Sequence, residues 1–330
     1  MAAAPTHRFI ISLLLLLLSA IRAYAMRVAV TGTTGRLGRE AAQLLSAKGI
    51  ATNCLLRHPI DSSITPSIDK DASSAQVASY LSSLPGVKMI EGDATDKSSC
   101  KALIQDCDAV LALHGPVKPP PLQSLFRLLP EDDPKHSKAV NYMAVQNLID
   151  AVRQSPTCKR IVRVTGKGED PFGIFSILIN MLGNMAKGWN YEGEQLLRDS
   201  GLDYTIVRPG VMGRDDIPTG KLALVDNGQD LPVSSVTHSQ IADLCVECLN
   251  YPNAARATLT AMNVEEGTGE DNYAPLLEKV NADTRVFPST LLEEHKRGAR
   301  IGSAVLASFA AVFASAFIAV FKSVASLLTS

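Results

Sequence analysis

The stretch that most constrains this chain is Thr31-Gly32-Thr33-Thr34-Gly35-Arg36-Leu37-Gly38, because of what flanks it. Before it, Met26-Arg27-Val28-Ala29-Val30 is short, β-branched and apolar, as a strand buried on both faces should be. After it, Ala41, Ala42, Leu44 and Leu45 recur at helical spacing until Gly49 closes the segment. Glycines let a backbone turn tightly and approach a pyrophosphate, while the free N–H groups of the following helix attract the anion. A strand, a glycine turn and a helix in this order predict a dinucleotide site built from Gly32, Thr33, Thr34, Gly35, Arg36, Leu37 and Gly38.

The rest of the chain repeats the alternation. Strand-like runs are expected at residues 51–57, 87–91, 109–113, 160–165 and 204–207, separated by helical patterns at 97–105, 137–154 and about 175–199. Residues 58–86, rich in Ser, Asp and Pro with one helical fragment, read as a peripheral insertion. Such alternation predicts an α/β fold: a doubly wound parallel sheet of Rossmann type in a single domain, residues 26–263. Ligands of these sheets bind beyond the carboxyl ends of the strands. The rule selects the glycine turn, Arg57, Asp93 with Ala94, Leu113-His114-Gly115, Thr165 to Lys167, and Pro209-Gly210-Val211. Arg57 stands where an acidic residue would hold a ribose 2′-hydroxyl. Arginine suits a 2′-phosphate, with Arg36 as a second contact, so NADP(H) is expected over NAD(H).

The glycine spacing is Gly-x-x-Gly-x-x-Gly behind a threonine, and here the chain resembles the short-chain dehydrogenase/reductase superfamily, in particular its atypical NAD(P)H-binding, NmrA-like branch. The resemblance runs from about residue 26 to 263. It also rests on Gly92-Asp93, on Val140-Asn141-Tyr142 opening a helix, and on Gly201 to Gly210 with Glu194 and Leu197-Arg198 ahead of it. It implies that Asp93 lies near the adenine. It further implies a Tyr-x-x-x-Lys pair after the fifth strand, with a Ser or Thr at that strand's end. Thr165 fits the hydroxyl and Tyr191 the tyrosine, but the fourth residue after Tyr191 is Gln195. Lys187 precedes Tyr191 by four residues and shares its helix face, yet stands about 12 Å along the axis from the family position. Thr165, Tyr191 and Lys187 are therefore the candidate catalytic set, with the motif broken. Two functions stay open: a reductase acting on a hydrophobic substrate, and a cofactor-binding scaffold or redox sensor that tethers a partner at a membrane.

With 32 Lys+Arg against 33 Asp+Glu, nothing points to nucleic acid as a partner. No metal site is expected, and the six cysteines are scattered; Cys245 and Cys248 fall inside a helical pattern and read as packing. The two ends differ from the middle. Residues 9–21 are nearly all apolar behind His7-Arg8 and are followed by Ala23-Tyr24-Ala25, a signal or targeting pattern over residues 1–25. Residues 301–321 carry no charge and follow Lys296-Arg297-Gly298-Ala299-Arg300, a candidate membrane-spanning helix. Residues 264–300 are expected to be an extension leading to it, with Asp283, Glu293 and Glu294 as surface charges. A signal sequence implies the secretory pathway and ER, whereas the basic cluster favours a cytoplasmic or equivalent face. A multi-step route into the plastid of an alga would reconcile the two.

Overall fold

The computed structural model describes residues 26–115, 129–134, 136–167, 169–213, 221–264 and 273–328. The expected targeting segment, residues 1–25, and residues 116–128 and 265–272 lie outside these residues.

The strands are β1 (Arg27–Thr31), β2 (Ala51–Leu56), β3 (Val87–Glu91), β4 (Ala109–Ala112), β5 (Arg160–Val164), β6 (Asp203–Pro209), β7 (Val211–Met212), β8 (Leu222–Val225), β9 (Ser235–Val236) and β10 (Ala257–Asn263). Eight of them form one sheet in the order β3-β2-β1-β4-β5-β6-β10-β8, and β7 pairs with β9 beside it. Every pairing in the large sheet is parallel except β10 with β8. The order reverses between β1 and β4, where Val30 faces Cys54 on one side and Leu111 on the other. A crevice opens at such a switch point.

The helices are α1 (Arg36–Ala47), α2 (Ser74–Ser82), α3 (Lys97–Leu103), α4 (Ala144–Gln154), α5 (Ile174–Leu182), α6 (Ala186–Arg198), α7 (His238–Glu247), α8 (Ala274–Leu277) and α9 (Leu291–Leu328). Alternate strand residues feed two cores. Val28 and Val30 pack with Leu45, Leu111 and Ile241 on one face, while Ala29 packs with Val110, Leu148 and Ile206 on the other.

Four expectations need correcting. Residues 58–86 are no peripheral insertion. Their helix α2 is the β2–β3 crossover, starts with a Ser73–Gln76 capping box and buries Val77, Ala78 and Leu81. Arg39 is buried beneath this segment, donating to the carbonyls of Ile68 and Asp69. The helical region expected over 175–199 is two helices, broken where Asn184 and Met185 take φ of 49° and 62°. Asparagine tolerates that left-handed conformation because its short side chain can bond locally. The helix expected over 137–154 opens with a π turn, Ala139–Met143, before α4. Asp283 is no surface charge: it accepts from the Thr258 N–H and hydroxyl and from the Tyr204 hydroxyl, beside the Arg198 guanidinium.

The six cysteines are buried and unpaired, and burial pushes the Cys248 thiol up to about 12. Cys245 and Cys248 thus sit as packing groups. Helix α9 starts ten residues before the expected span and buries Leu291, His295 and Ala299 along one stripe.

Candidate dinucleotide site

A cleft of about 290 Å³ opens at the switch point, lined by Gly32, Thr33, Thr34, Gly35, Leu55, Arg57, Ser74, Asp93, Ala94, Thr95, Leu113, His114, Gly115, Val140 and Ala144. The turn needs its glycines. Gly32 has φ 69°, and a Cβ there would stand 2.7 Å from the backbone of His114. A Cβ on Gly38 would land on the Gly32 carbonyl, so α1 starts directly against the turn. Gly35 leads into α1 and its side faces the cleft, leaving the first helical N–H groups available to an anion. This chain's turn therefore fits a pyrophosphate.

Around the turn the structure fixes several polar groups. The His114 Nε2–H donates to the Val140 carbonyl at 3.1 Å, so its Nδ1 accepts from the Thr31 hydroxyl at 2.6 Å. Burial, and then the Arg163 guanidinium, hold the His114 imidazole well below its ordinary pKa, so it is neutral. Arg163, 1 % exposed, donates to the carbonyls of Ala112 and His114 and to the side chains of Asn141 and Asn190. It clamps the end of β4 onto the π turn. Asp93 accepts from the Thr95 N–H and hydroxyl through one oxygen, both at 2.8 Å. Its other oxygen accepts no hydrogen bond among the described residues.

Arg57 is exposed at the rim of this cleft and pairs with no carboxylate among the described residues. Arg36, also exposed, does not line it. Leu37 is in the core and Gly38 is under the turn. Pro209, Gly210 and Val211 lie away from the cleft: Gly210 donates to Ala261 and Val211 to Ser234, joining β7 to the sheet's margin. Ser74, at the start of α2, lines the cleft, although nothing in a stretch read as an insertion marked it.

A second, smaller cavity of about 150 Å³ lies beyond β5, the neighbour of β4. It brings together Thr165, Gly166, Lys167, Ile179, Lys187, Asn190, Tyr191 and Glu194. All three candidate catalytic residues meet here, but their hydrogen bonds differ from the family arrangement. Thr165 donates its hydroxyl proton to Glu194 at 2.6 Å, so that proton is not offered to a ligand. Burial alone would raise the Glu194 pKa, but Arg208 and Arg198 outweigh it and hold the carboxyl down to about 2. Arg208 binds Glu194 through two nitrogens and reaches Glu169 at 2.6 Å; Arg285 closes on Glu169 in turn. Phe287 stacks on the Arg198 guanidinium, 3.5 Å from centroid to carbon.

The Tyr191 hydroxyl is buried and has no hydrogen-bond partner among the described residues; burial raises its pKa, so it stays protonated. Lys187 donates to the Lys167 carbonyl, and burial lowers its pKa, with Lys167 adding to the effect. Gln195, in the family lysine's place, donates to the Phe287 carbonyl. Lys167 itself is turned to the Leu231 carbonyl and Asp230. Among the described residues no cluster could hold a metal ion.

Residues 32–252 match the profile of a family described as NAD(P)H-binding. Two curated plant proteins are similar. An uncharacterised chloroplastic protein of Arabidopsis thaliana is 27 % identical over 186 residues, 54 % of this chain and 56 % of its own length. The sanguinarine reductase of Eschscholzia californica is 27 % identical over 142 residues, 42 % of this chain and 50 % of its own. The chain thus spans about half the length of either relative. A short-chain dehydrogenase/reductase of Veillonella parvula, solved in complex with NADP, superposes with a TM-score of 0.54 at 13 % identity. It covers 75 % of this chain and 98 % of that one, a likeness of fold.

Proposed function

The chain belongs to the NAD(P)H-binding family, in its atypical short-chain dehydrogenase/reductase branch, and from that premise we propose that it is an NADP(H)-preferring reductase. The observation that carries the preference is the rim of the cleft. Arg57 offers an unpaired guanidinium, and Ser74 offers a hydroxyl on the same side. Together they suit a 2′-phosphate better than a free 2′-hydroxyl. The Veillonella protein, solved with NADP, is in keeping with this. The glycine turn would hold the pyrophosphate, and Asp93 would lie near the adenine.

Bound cofactor supplies the hydride; the protein's part is to orient an acceptor and provide its proton. The small cavity suits that part. The Tyr191 hydroxyl, protonated and unpartnered, can donate to a substrate oxygen, and Lys187 adds positive charge four residues away on the same helix. Thr165 can only accept there, because Glu194 takes its proton. The test is to mix the full chain with NADPH and a panel of aldehydes, quinones and iminium compounds, following nicotinamide absorbance. Turnover that falls in Tyr191→Phe supports the reading.

A second reading has its own observation: Gln195 replaces the family lysine and is turned away to Phe287. Tight NADPH binding with no turnover on any acceptor would make the chain a cofactor-binding scaffold or sensor. For either reading we place the chain at a membrane through α9, with the basic residues Lys296, Arg297 and Arg300 at its root. The chloroplastic relative favours the plastid over the ER as its destination.

A further inference from the structure

Helix α5 turns most of its apolar side chains outward, although Met181 and Ile177 pack inside. Ile174, Phe175, Leu178, Ile179 and Leu182 are exposed, the first two by 75 % and 77 %, while Ser176 and Asn180 are buried. The exposed positions fall at i, i+1, i+4, i+5 and i+8, one face of a helix. Asn180 is satisfied inside, bonded to His295 and accepting from the Lys187 N–H, so the orientation is fixed by the fold. Contiguous apolar surface of this kind marks an interaction site.

What covers it is indicated by α9. A Cβ on Gly298 would meet the Pro171 carbonyl, and one on Gly302 would meet Ile177 and Met181. With the Asn180–His295 bond, these contacts pack α5 against the root of α9 from His295 to Gly302. Beyond Gly302 the helix leaves the body, with Val305, Leu306, Phe309, Val312 and Phe313 all exposed. By length and composition α9 can cross a membrane. The apolar face of α5 is therefore continuous with the root of a membrane helix, and the exposed Arg297 and Arg300 stand where phospholipid headgroups would be.

We propose that the exposed face of α5 seats the α/β body on the same bilayer that α9 enters. Ile179 belongs both to this face and to the wall of the small cavity, so the cavity opens at the lipid surface. The substrate class that follows is a lipid-dissolved hydride acceptor, which rests on reading that cavity as the substrate site.

All six native cysteines are buried, so a surface thiol can be labelled selectively. Full-length Leu178→Cys, carrying an environment-sensitive fluorophore, would be placed in phosphatidylcholine–phosphatidylglycerol vesicles with and without doxyl-labelled acyl chains. Lys101→Cys on α3 is the exposed control. The Leu178 label is expected to shift to the blue and to lose about half of its emission to doxyl lipid, while the Lys101 label is unaffected. If Leu178→Cys does not fold by circular dichroism, Phe175→Cys gives the same readout. Equal labels on a chain that resists alkaline extraction would overturn the seating and leave the face to a protein partner. A chain that washes off the vesicles would remove both anchor and seating. Nucleotide titration in detergent is independent of the vesicles, so loss of the cofactor reading would be seen separately.

Discussion

Replacing Glu194 with glutamine should destabilise the fold sharply, by an amount the structure allows to be worked out. Its carboxylate accepts from Thr165 at 2.6 Å, from Arg198 at 2.8 Å, and from two nitrogens of Arg208. The side chains of Glu194, Arg198 and Arg208 are only 2 %, 7 % and 3 % exposed. Holding the carboxyl at about 2 instead of its ordinary 4.5 corresponds to roughly 3 kcal/mol of stability at neutral pH. Breaking a buried pair typically costs about 3–5 kcal/mol, because it leaves guanidinium charge uncompensated. The amide keeps the volume, so little of the loss comes from a cavity. For a domain of this size about 3 kcal/mol lowers Tm by roughly 6–12 °C. The sign with pH is also set. A depressed carboxyl pKa contributes stability that is full above 4.5 and fades as pH falls toward 2. Denaturant unfolding of the full chain and Glu194→Gln in the same detergent, at several pH values, measures both effects. A loss under about 1 kcal/mol at neutral pH, or a gap that does not narrow below pH 4.5, would refute the account.

Other substitutions probe the cleft and cavity. Gly38→Ala would drive a Cβ into the Gly32 carbonyl, so NADPH affinity should fall at least about tenfold while most of the sheet survives; near-native affinity would show a turn more plastic than the structure implies. Tyr191→Phe removes a buried hydroxyl that has no partner among the described residues, so stability should hold or rise by up to about 1 kcal/mol in a melt. A loss above about 2 kcal/mol would reveal a partner for that hydroxyl. His114 stays neutral in the fold but protonates in the unfolded chain near its ordinary 6.5, so stability should decline below that pH by up to about 1.4 kcal/mol per unit. His114→Gln should flatten that part of the profile, and an unchanged slope would assign it elsewhere.

The parallel sheet and the glycine turn were legible because they depend on local patterns: β-branched runs, a helix start and glycines at fixed offsets. What escaped depended on long-range contacts. Asp283 looks like any solvated carboxylate until the chain returns it to Thr258, Tyr204 and Arg198. The antiparallel strand β8 and its partner β10 are separated in sequence by β9 and α7, so no hairpin turn joined them. The break between α5 and α6 did have a local sign in Gly183-Asn184, a common way to end a helix, outweighed by the apolar run around it. Ser74 was hidden by composition: a Ser-, Asp- and Pro-rich stretch resembles a surface loop, whereas its capping box starts the crossover helix. The candidate catalytic residues line one cavity, but their hydrogen bonds could not be foreseen. Whether Thr165 donates to a ligand depends on Glu194, which is 29 residues away.

The most direct test is calorimetric titration of the full chain, in detergent, with NADPH and separately with NADH, for the natural protein and for Arg57→Asp. The account predicts tighter binding of NADPH. Arg57→Asp should weaken NADPH by roughly 10- to 100-fold, the scale of a lost charge-assisted contact, and leave NADH within about threefold. Equal affinities for the two nucleotides, or equal losses in the variant, would contradict the role given to the Arg57 rim.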